Sequence, residues 1–395
     1  MNAIPSVLDL LDLDSELSDA ERDTRDRVRA LMDDHVRPHV ARWFADAVFP
    51  RELVPVLAEA GLLGMHLHGY GCAGSTAVAY GLAMAEIEAA DSGIRTFVSV
   101  QGSLAMSAIA KHGSEEQKEQ WLPRMAAGEA IGCFALTEPD SGSDPGGMRT
   151  TAVRDGDEWV IDGDKRWIGL ASIADVAVVW AKVRDDDGER ERVRGFLVPV
   201  PAAGFTATPI EPKLAMRASV QCDIALRGVR VPADAILPHN PGLRGPFACL
   251  DEARYGIVWG SFGAARDCVE QALAYATGRS QFGRPLAAFQ LTQAKLVEMA
   301  LEVAKAQLLA LRLGRLKDAG RLEPHMISAG KLNNARSAIE VARTARTVLG
   351  GNGVTLEYSP MRHAANLEAV RTYEGTDEVH TLILGRHLTG IQAFR

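Results

Sequence analysis

The chain has 395 residues, enough for one large unit or for two to three subdomains sharing cores. Hydrophobic residues make up 47% and charged residues 24%, as in ordinary soluble proteins, and a net charge of −8 argues against a nucleic-acid binder. Five scattered cysteines without a CxxC support neither a disulfide framework nor a zinc site, and no stretch approaches the ~18 apolar residues of a transmembrane helix.

The N-terminal stretch MNAIPSVLDLLDLDSELSDAERD has no basic region and no long apolar run, so it does not read as a secretory leader. A reducing cytoplasm is the simplest compartment, with no membrane insertion. Residues 1–130 read as a helical domain. Ser18 is placed to cap a helix over Ala20–Val36 that Pro38 ends. PRELVPVLAEAG, TAVAYGLAMAEIEAAD and SEEQKEQWLPRMAAG continue the helical texture, and Ser114 with Gln117 forms a capping-box pattern. Gly69, Gly71 and Gly74 match G-x-G-x-x-G, but no strand precedes them and no βαβ unit surrounds them. They read as a loop between helices, and Rossmann binding is rejected.

Over 131–240 the period changes to that of strands. TAVRDGDEWVIDG predicts a hairpin around Asp155-Gly156, and DVAVVWAKV, RGFLVPV and CDIALRGVRVP extend an antiparallel sheet domain. Over 241–395 helical periodicity returns. Leu296, Met299, Val303, Ala306, Ala310 and Leu313 form one apolar stripe. Segments 251–277, 290–318 and 326–349, with a helix after Thr376, predict a four-helix bundle. The fold class is therefore mainly α with a central β domain.

The segment FALTEPDSGSDPGGM (134–148) packs hydroxyls, glycines and carboxylates after an apolar run, as a polar ligand loop or a surface turn would. It is joined, in order, by KRWIGLASIADV, KLAMRASV, RSQFGRPLAAFQ, VLGGNG and YEGTDEVH. The ordered set resembles the acyl-CoA dehydrogenase family over essentially the whole chain. EIEAADSGIRTFVSVQGSL, EARYGIVWGSFGAA and NLEAVRTYEGTDEVHTLILGRHLTGIQAF are most similar to its glutaryl-CoA dehydrogenase branch.

The resemblance implies an acyl-CoA dehydrogenase-like fold, bound FAD, no metal, a homotetramer and electron-transfer flavoprotein as partner. It assigns Phe134, Leu136, Thr137, Ser143, Trp167 and Ile168 to the flavin ring. Arg279, Phe282, Gln290, Gly350 and Gly351 are assigned to a neighbouring subunit's FAD, and Thr376 and Glu378 to FAD beside the catalytic residue. Glu374 becomes the base that removes the α-proton of the acyl-CoA substrate; outside these motifs it would read as a solvated helix cap. Substrate contacts fall on Glu88, Arg95, Thr96, Ser99, Ser143, Arg254, Tyr373 and Gly375. Arg95 is matched to a cation for a distal carboxylate, against the alternative of a helix-surface pair with Asp91 at i−4.

One departure is visible. Trp167-Ile168-Gly169 stands where the family commonly has Trp-Ile-Thr, and Trp-Ile-Gly resembles a short-chain acyl-CoA oxidase branch. Oxidation of glutaryl-CoA to crotonyl-CoA and CO2 is the first expectation. An oxidase using O2, a dehydrogenase of another short or branched acyl-CoA, and a non-catalytic flavin- or acyl-CoA-binding scaffold remain as alternatives.

Overall fold

Helices begin where the sequence supplies caps. In the computed structural model, which describes residues 8–184 and 191–393, Ser18 and Glu21 cap α1 (Asp19–His35) reciprocally, at 2.8 and 3.3 Å. The first residues read for a leader, and the last residue of the 366–394 stretch, lie outside the described residues. Thr76 caps α2 (Ala77–Ala90) and Asp91 caps α3 (Ser92–Ser99). A π-helical turn, Val100–Met106, follows. Ser114 and Gln117 form the second reciprocal cap, on α4 (Glu115–Ala126). The glycine-rich segment at 69–74 folds as a two-stranded hairpin, His68–Gly69 against Cys72–Ala73, rather than as an open loop.

The middle region holds β1 (Gly132–Ala135), β2 (Thr151–Asp155), β3 (Glu158–Gly169), β4 (Val176–Arg184), β5 (Glu191–Pro199), β6 (Phe205–Pro209) and β7 (Gln221–Pro232). Their order is β1-β4-β2-β3-β7-β6, with β5 on β4. Asp155 pairs with Glu158 across the hairpin, and Gly156 takes φ +60°, as the turn requires. Pairing is antiparallel except where β4 meets β1 and β2, which it joins in parallel. Residue alternation does not reveal those joins, because neither parallel partner of β4 is its neighbour in sequence. The β3–β7 ladder shifts register between Lys165 and Ile168, and Trp167 sits in that irregularity with φ +62°.

The C-terminal bundle comprises α5 (Arg244–Gly278), α6 (Gln290–Asp318), α7 (Pro324–Val348), α8 (Pro360–Val370) and α9 (Asp377–Thr389). Helix α8 goes beyond the four expected helices. Its inner face carries Arg362, His363 and Asn366, all buried, so its core stripe does not look apolar. Every residue of α2 is buried, and α5 lies against it through missing side chains. A Cβ on Gly81 would come within 2.2 Å of Trp259, and one on Gly260 within 1.9 Å of Glu88 Oε2. These glycines bring the two helix axes close and fix where Glu88 stands.

Candidate active site

The turn between α8 and α9 combines left-handed backbone with a bond to each of its carbonyls. Glu374 adopts φ +56° and Gly375 φ +92°, left-handed values that a side chain makes costly at the first position. Surrounding donors hold the strain in place. Arg254 Nε donates to Glu374 O at 2.8 Å, and His380 Nε2 approaches the same oxygen at 3.2 Å. Lys331 Nζ donates to Tyr373 O at 2.6 Å and to Gly375 O at 2.5 Å. A carbonyl can only accept, so His380 carries its proton on Nε2, and Nδ1 accepts from Ser328 Oγ at 3.0 Å. Burial, reinforced by Lys331 and Arg254, lowers His380 to about 3 and keeps it neutral.

Glu374 itself is left without a partner at buried Oε2. Burial raises its carboxyl above the usual range, opposed by Arg254, Lys331 and Arg95. A desolvated carboxylate with a free oxygen is the form suited to accept a proton from carbon. Thr376 caps α9 through Val379 N at 3.3 Å, and Glu378 is exposed.

Arg95 corrects one sequence alternative. It does not lie on a helix surface with Asp91; it is 1% exposed, and its Nε donates to Glu88 Oε2 at 2.7 Å. Asp91 is spent on Gly93 N at 2.6 Å, on Arg362 and on Asn366 Nδ2 at 3.0 Å. Arg95 Nη2 donates to Tyr373 Oη, and Thr96 Oγ1 lies 3.5 Å from that hydroxyl. Glu88, Arg95, Thr96, Arg254, Tyr373, Glu374 and Gly375 are thus one contiguous group, with buried Ser99 one turn along α3 from Arg95.

A second group forms where β1 runs out. Phe134 and Leu136 are buried, and the Phe134 ring packs against Trp180 at 5.6 Å. Thr137 O accepts from Arg166 N at 2.9 Å. Lys165, 1% exposed, donates to Leu136 O at 3.1 Å and to Glu138 Oε1 at 2.9 Å. Burial lowers the Lys165 ammonium to about 8, against the pull of Glu138. Ile168 is buried and Ser143 exposed, while Trp167 remains 53% exposed with Arg166 5.2 Å over its ring. A Cβ on Gly169 would meet Val100 Cγ2 at 3.3 Å, so the end of β3 abuts the π-helical turn that follows Ser99. That contact brings the first two groups together.

The third group is elsewhere. Arg279, Phe282, Gln290, Gly350 and Gly351 are exposed at the far end of the bundle, Phe282 by 94%. Asn352 Nδ2 donates to Tyr275 Oη at 3.1 Å and ties the glycine turn to the end of α5. Along α7, Lys331 beside Glu374 and Gly350 just past its C-terminus are separated by about 28 Å at 1.5 Å per residue. Sequence reasoning missed Lys331, His380, Ser328 and Lys165. The available signal was positional: Lys331 falls on the stripe of Ile327, Asn334, Ala335 and Ala338, the buried face of α7.

Among the described residues no cluster of His, Cys, Asp and Glu is arranged to hold a metal, and no helix is long and apolar enough to cross a membrane. Three family models match: "Acyl-CoA dehydrogenase, N-terminal domain" over residues 18–129, "middle domain" over 133–229 and "C-terminal domain" over 240–389. The chain is similar to a glutaryl-CoA dehydrogenase from Mycobacterium smegmatis, with 60% identity, 98% of this chain and 99% of that one covered, and a TM-score of 0.95. A glutaryl-CoA dehydrogenase of the same organism, solved in complex with FADH2, gives 56% identity, the same coverage and a TM-score of 0.95. The short-chain specific acyl-CoA dehydrogenase of Bos taurus mitochondria is 36% identical over 94% of this chain and 91% of its own length.

Proposed function

Because the chain belongs to the acyl-CoA dehydrogenase family, we propose that it uses bound FAD to oxidise glutaryl-CoA and decarboxylates the product to crotonyl-CoA and CO2. The observation that carries the substrate is Arg95, a buried cation bonded to Tyr373, the residue before Glu374, and among the charges that lower the Glu374 carboxyl. A methyl-terminated acyl chain has no use for a cation at the pocket floor, whereas a second carboxylate does. Arginine has five N–H groups, and Glu88 and Tyr373 engage Nε and Nη2. Likeness to two glutaryl-CoA dehydrogenases at 56% and 60% identity supports the same reading.

The residues fit a flavin. Trp167 presents a large aromatic face from a register shift, and the Leu136–Thr137 main chain is fixed by Lys165 and Arg166 beside it. Phe134, Leu136, Thr137, Ser143, Trp167 and Ile168 would hold the ring system, with Thr376 and Glu378 beside the base. Bound FAD supplies the acceptor for the hydride that leaves the substrate β-carbon. Glu374 takes the α-proton on its carboxylate, and its own backbone N–H donates to the thioester oxygen as enolate charge develops there. The thioester then serves as electron sink when the distal C–C bond breaks and CO2 leaves, and the dienolate is reprotonated.

The remoteness of Arg279, Phe282, Gln290, Gly350 and Gly351 from Glu374 supports their serving the FAD of a neighbouring copy in a homotetramer. Electron-transfer flavoprotein is the proposed recipient of the electrons, in the cytoplasm. Gly169 favours a second reading, the oxidase. Anaerobic titration of the yellow protein, carrying about one FAD per chain, with glutaryl-, butyryl- and isobutyryl-CoA separates the readings. Bleaching by glutaryl-CoA with crotonyl-CoA and CO2 as products is expected. Bleaching by butyryl-CoA alone would overturn the substrate, and stoichiometric hydrogen peroxide in air would favour the oxidase.

A further inference from the structure

The buried side of the base turn holds a cation that no step above uses. Lys331 rises from α7 on its core face, 1% exposed, between Ile327 and Asn334. Its ammonium bridges the carbonyls on either side of Glu374, at 2.6 Å to Tyr373 and 2.5 Å to Gly375. Arg254 and His380 hold the carbonyl between them. Three successive carbonyls are therefore each bonded, and the left-handed φ of Glu374 and Gly375 is retained because each has a donor.

We infer that Lys331 is a positioning residue for Glu374: its bonds to the two flanking carbonyls set the turn from which the base reaches the substrate α-carbon. The inference rests on the assignment of Glu374 as the base. The groups facing Lys331 are Tyr373 and Glu374 from the turn, Arg254 from α5, Asp377 and His380 from α9, and Arg95 from α3. Burial lowers the Lys331 ammonium to about 7, against the pull of Glu374 and Asp377, so it is charged on the acid side of neutrality, where the acid limb of the rate is read. Lys331 is among the cations that hold the Glu374 carboxyl down against burial, so its removal raises that carboxyl further.

The test uses the FAD-loaded enzyme and stopped-flow flavin reduction across pH. Lys331→Met keeps the stem and loses donors and charge; Lys331→Gln loses the charge and keeps a neutral NH2 on a shorter stem. Both should retain FAD and bind a non-reducible acyl-CoA within a few-fold of wild type. Reduction should slow by about 10-fold or more, the scale of a lost charge-assisted bond, less for Lys331→Gln. The acid limb of the rate profile should move to higher pH in both. Wild-type rates with an unmoved profile in whichever variant folds would overturn the inference. So would failure of both variants to fold, which would make Lys331 a core support. Glu374→Gln, run in parallel, separates the two claims. Fast reduction there removes the base assignment, whereas a dead Glu374→Gln beside an unaffected Lys331→Met removes only the role of Lys331.

Discussion

The turn at Glu374 and the exposed residues at the far end of the bundle are built on opposite plans. Around Glu374 every carbonyl from Tyr373 to Gly375 is bonded, and the donors come from α5, α7 and α9 of the same chain. Around Phe282 and the Gly350-Gly351 turn the side chains and backbone stand in the open, Phe282 by 94%. Trp167 is intermediate, rooted in β3 yet 53% exposed. The proposed base is held in place by donors of one chain, as a group for which a small displacement costs rate would be. The exposed aromatic and glycine surfaces have no such frame and are suited to being covered by something else.

If that contrast is real, a change at Gly375 should harm the reaction and spare the cofactor. An alanine there meets φ +92° and His380 Nε2 at 2.9 Å from its Cβ. Strain of about 1–3 kcal/mol corresponds to roughly 5- to 150-fold in flavin reduction if it is relieved by moving the turn. Flavin content per chain, read from the visible spectrum, should stay unchanged. Loss of FAD in step with loss of rate would erase the distinction between the two regions.

Arg95→Met sharpens the substrate side. A lost charge-assisted bond to a distal carboxylate amounts to about 1.5–3 kcal/mol, or roughly 10- to 100-fold in kcat/KM for glutaryl-CoA. Butyryl-CoA should be spared or improved. Because Glu88 would be left charged and buried, Arg95→Met with Glu88→Gln is the better-behaved version. Equal losses on both acyl chains would reduce Arg95 to a structural role.

Trp167→Ala tests the cofactor side with a smaller effect. Half of this ring is in solvent without a ligand, so thermal stability of the apoprotein should barely move. An aromatic face packed on a flavin contributes about 0.5–1.5 kcal/mol, so FAD should bind roughly 2- to 12-fold more weakly. A large loss of apoprotein stability instead would place the ring in the fold rather than in the cofactor site.

The last effect lies away from the site, where Glu86 on α2 is held by Arg29 of α1 and Arg266 of α5. Burial raises the Glu86 carboxyl, but Arg266 and Arg29 outweigh it and hold it at about 2. A carboxylate depressed in the folded state stabilises above its unfolded pKa of about 4.3, and that contribution is lost as pH falls toward 2. Glu86→Gln should flatten the acid arm of stability between those limits and lower the plateau above pH 5 without giving it a new slope. An unaltered acid arm would exclude Glu86 as a contributor.

Much of this was legible in the sequence, and the exceptions have physical causes. Ser18 and Ser114 announce their helices because a cap is a local bond between residues three apart. Motif order singles out Glu374 and Arg95 as candidates, and the structure links Arg95 to Tyr373, the residue before Glu374. The π-helical turn at Val100–Met106 was invisible. It sits where Gln101 reaches Met125 O, Ala130 O and Gly132 N, partners brought near only by the assembled fold. Lys331 and Lys165 were missed for a related reason. A buried lysine is recognised by the main-chain carbonyls it meets, and nothing in its local pattern names them.

The central claim is that Glu374 is the base. Its most direct test is anaerobic stopped-flow reduction of FAD-loaded Glu374→Gln by glutaryl-CoA, beside wild type. The amide keeps the shape of the side chain and the bonds to the turn, so acyl-CoA should still bind and perturb the flavin spectrum. Reduction should fall by at least about 10²–10⁴-fold, because an amide cannot accept the α-proton. Reduction at a rate near wild type, with the same flavin content, would contradict the account and place the base elsewhere.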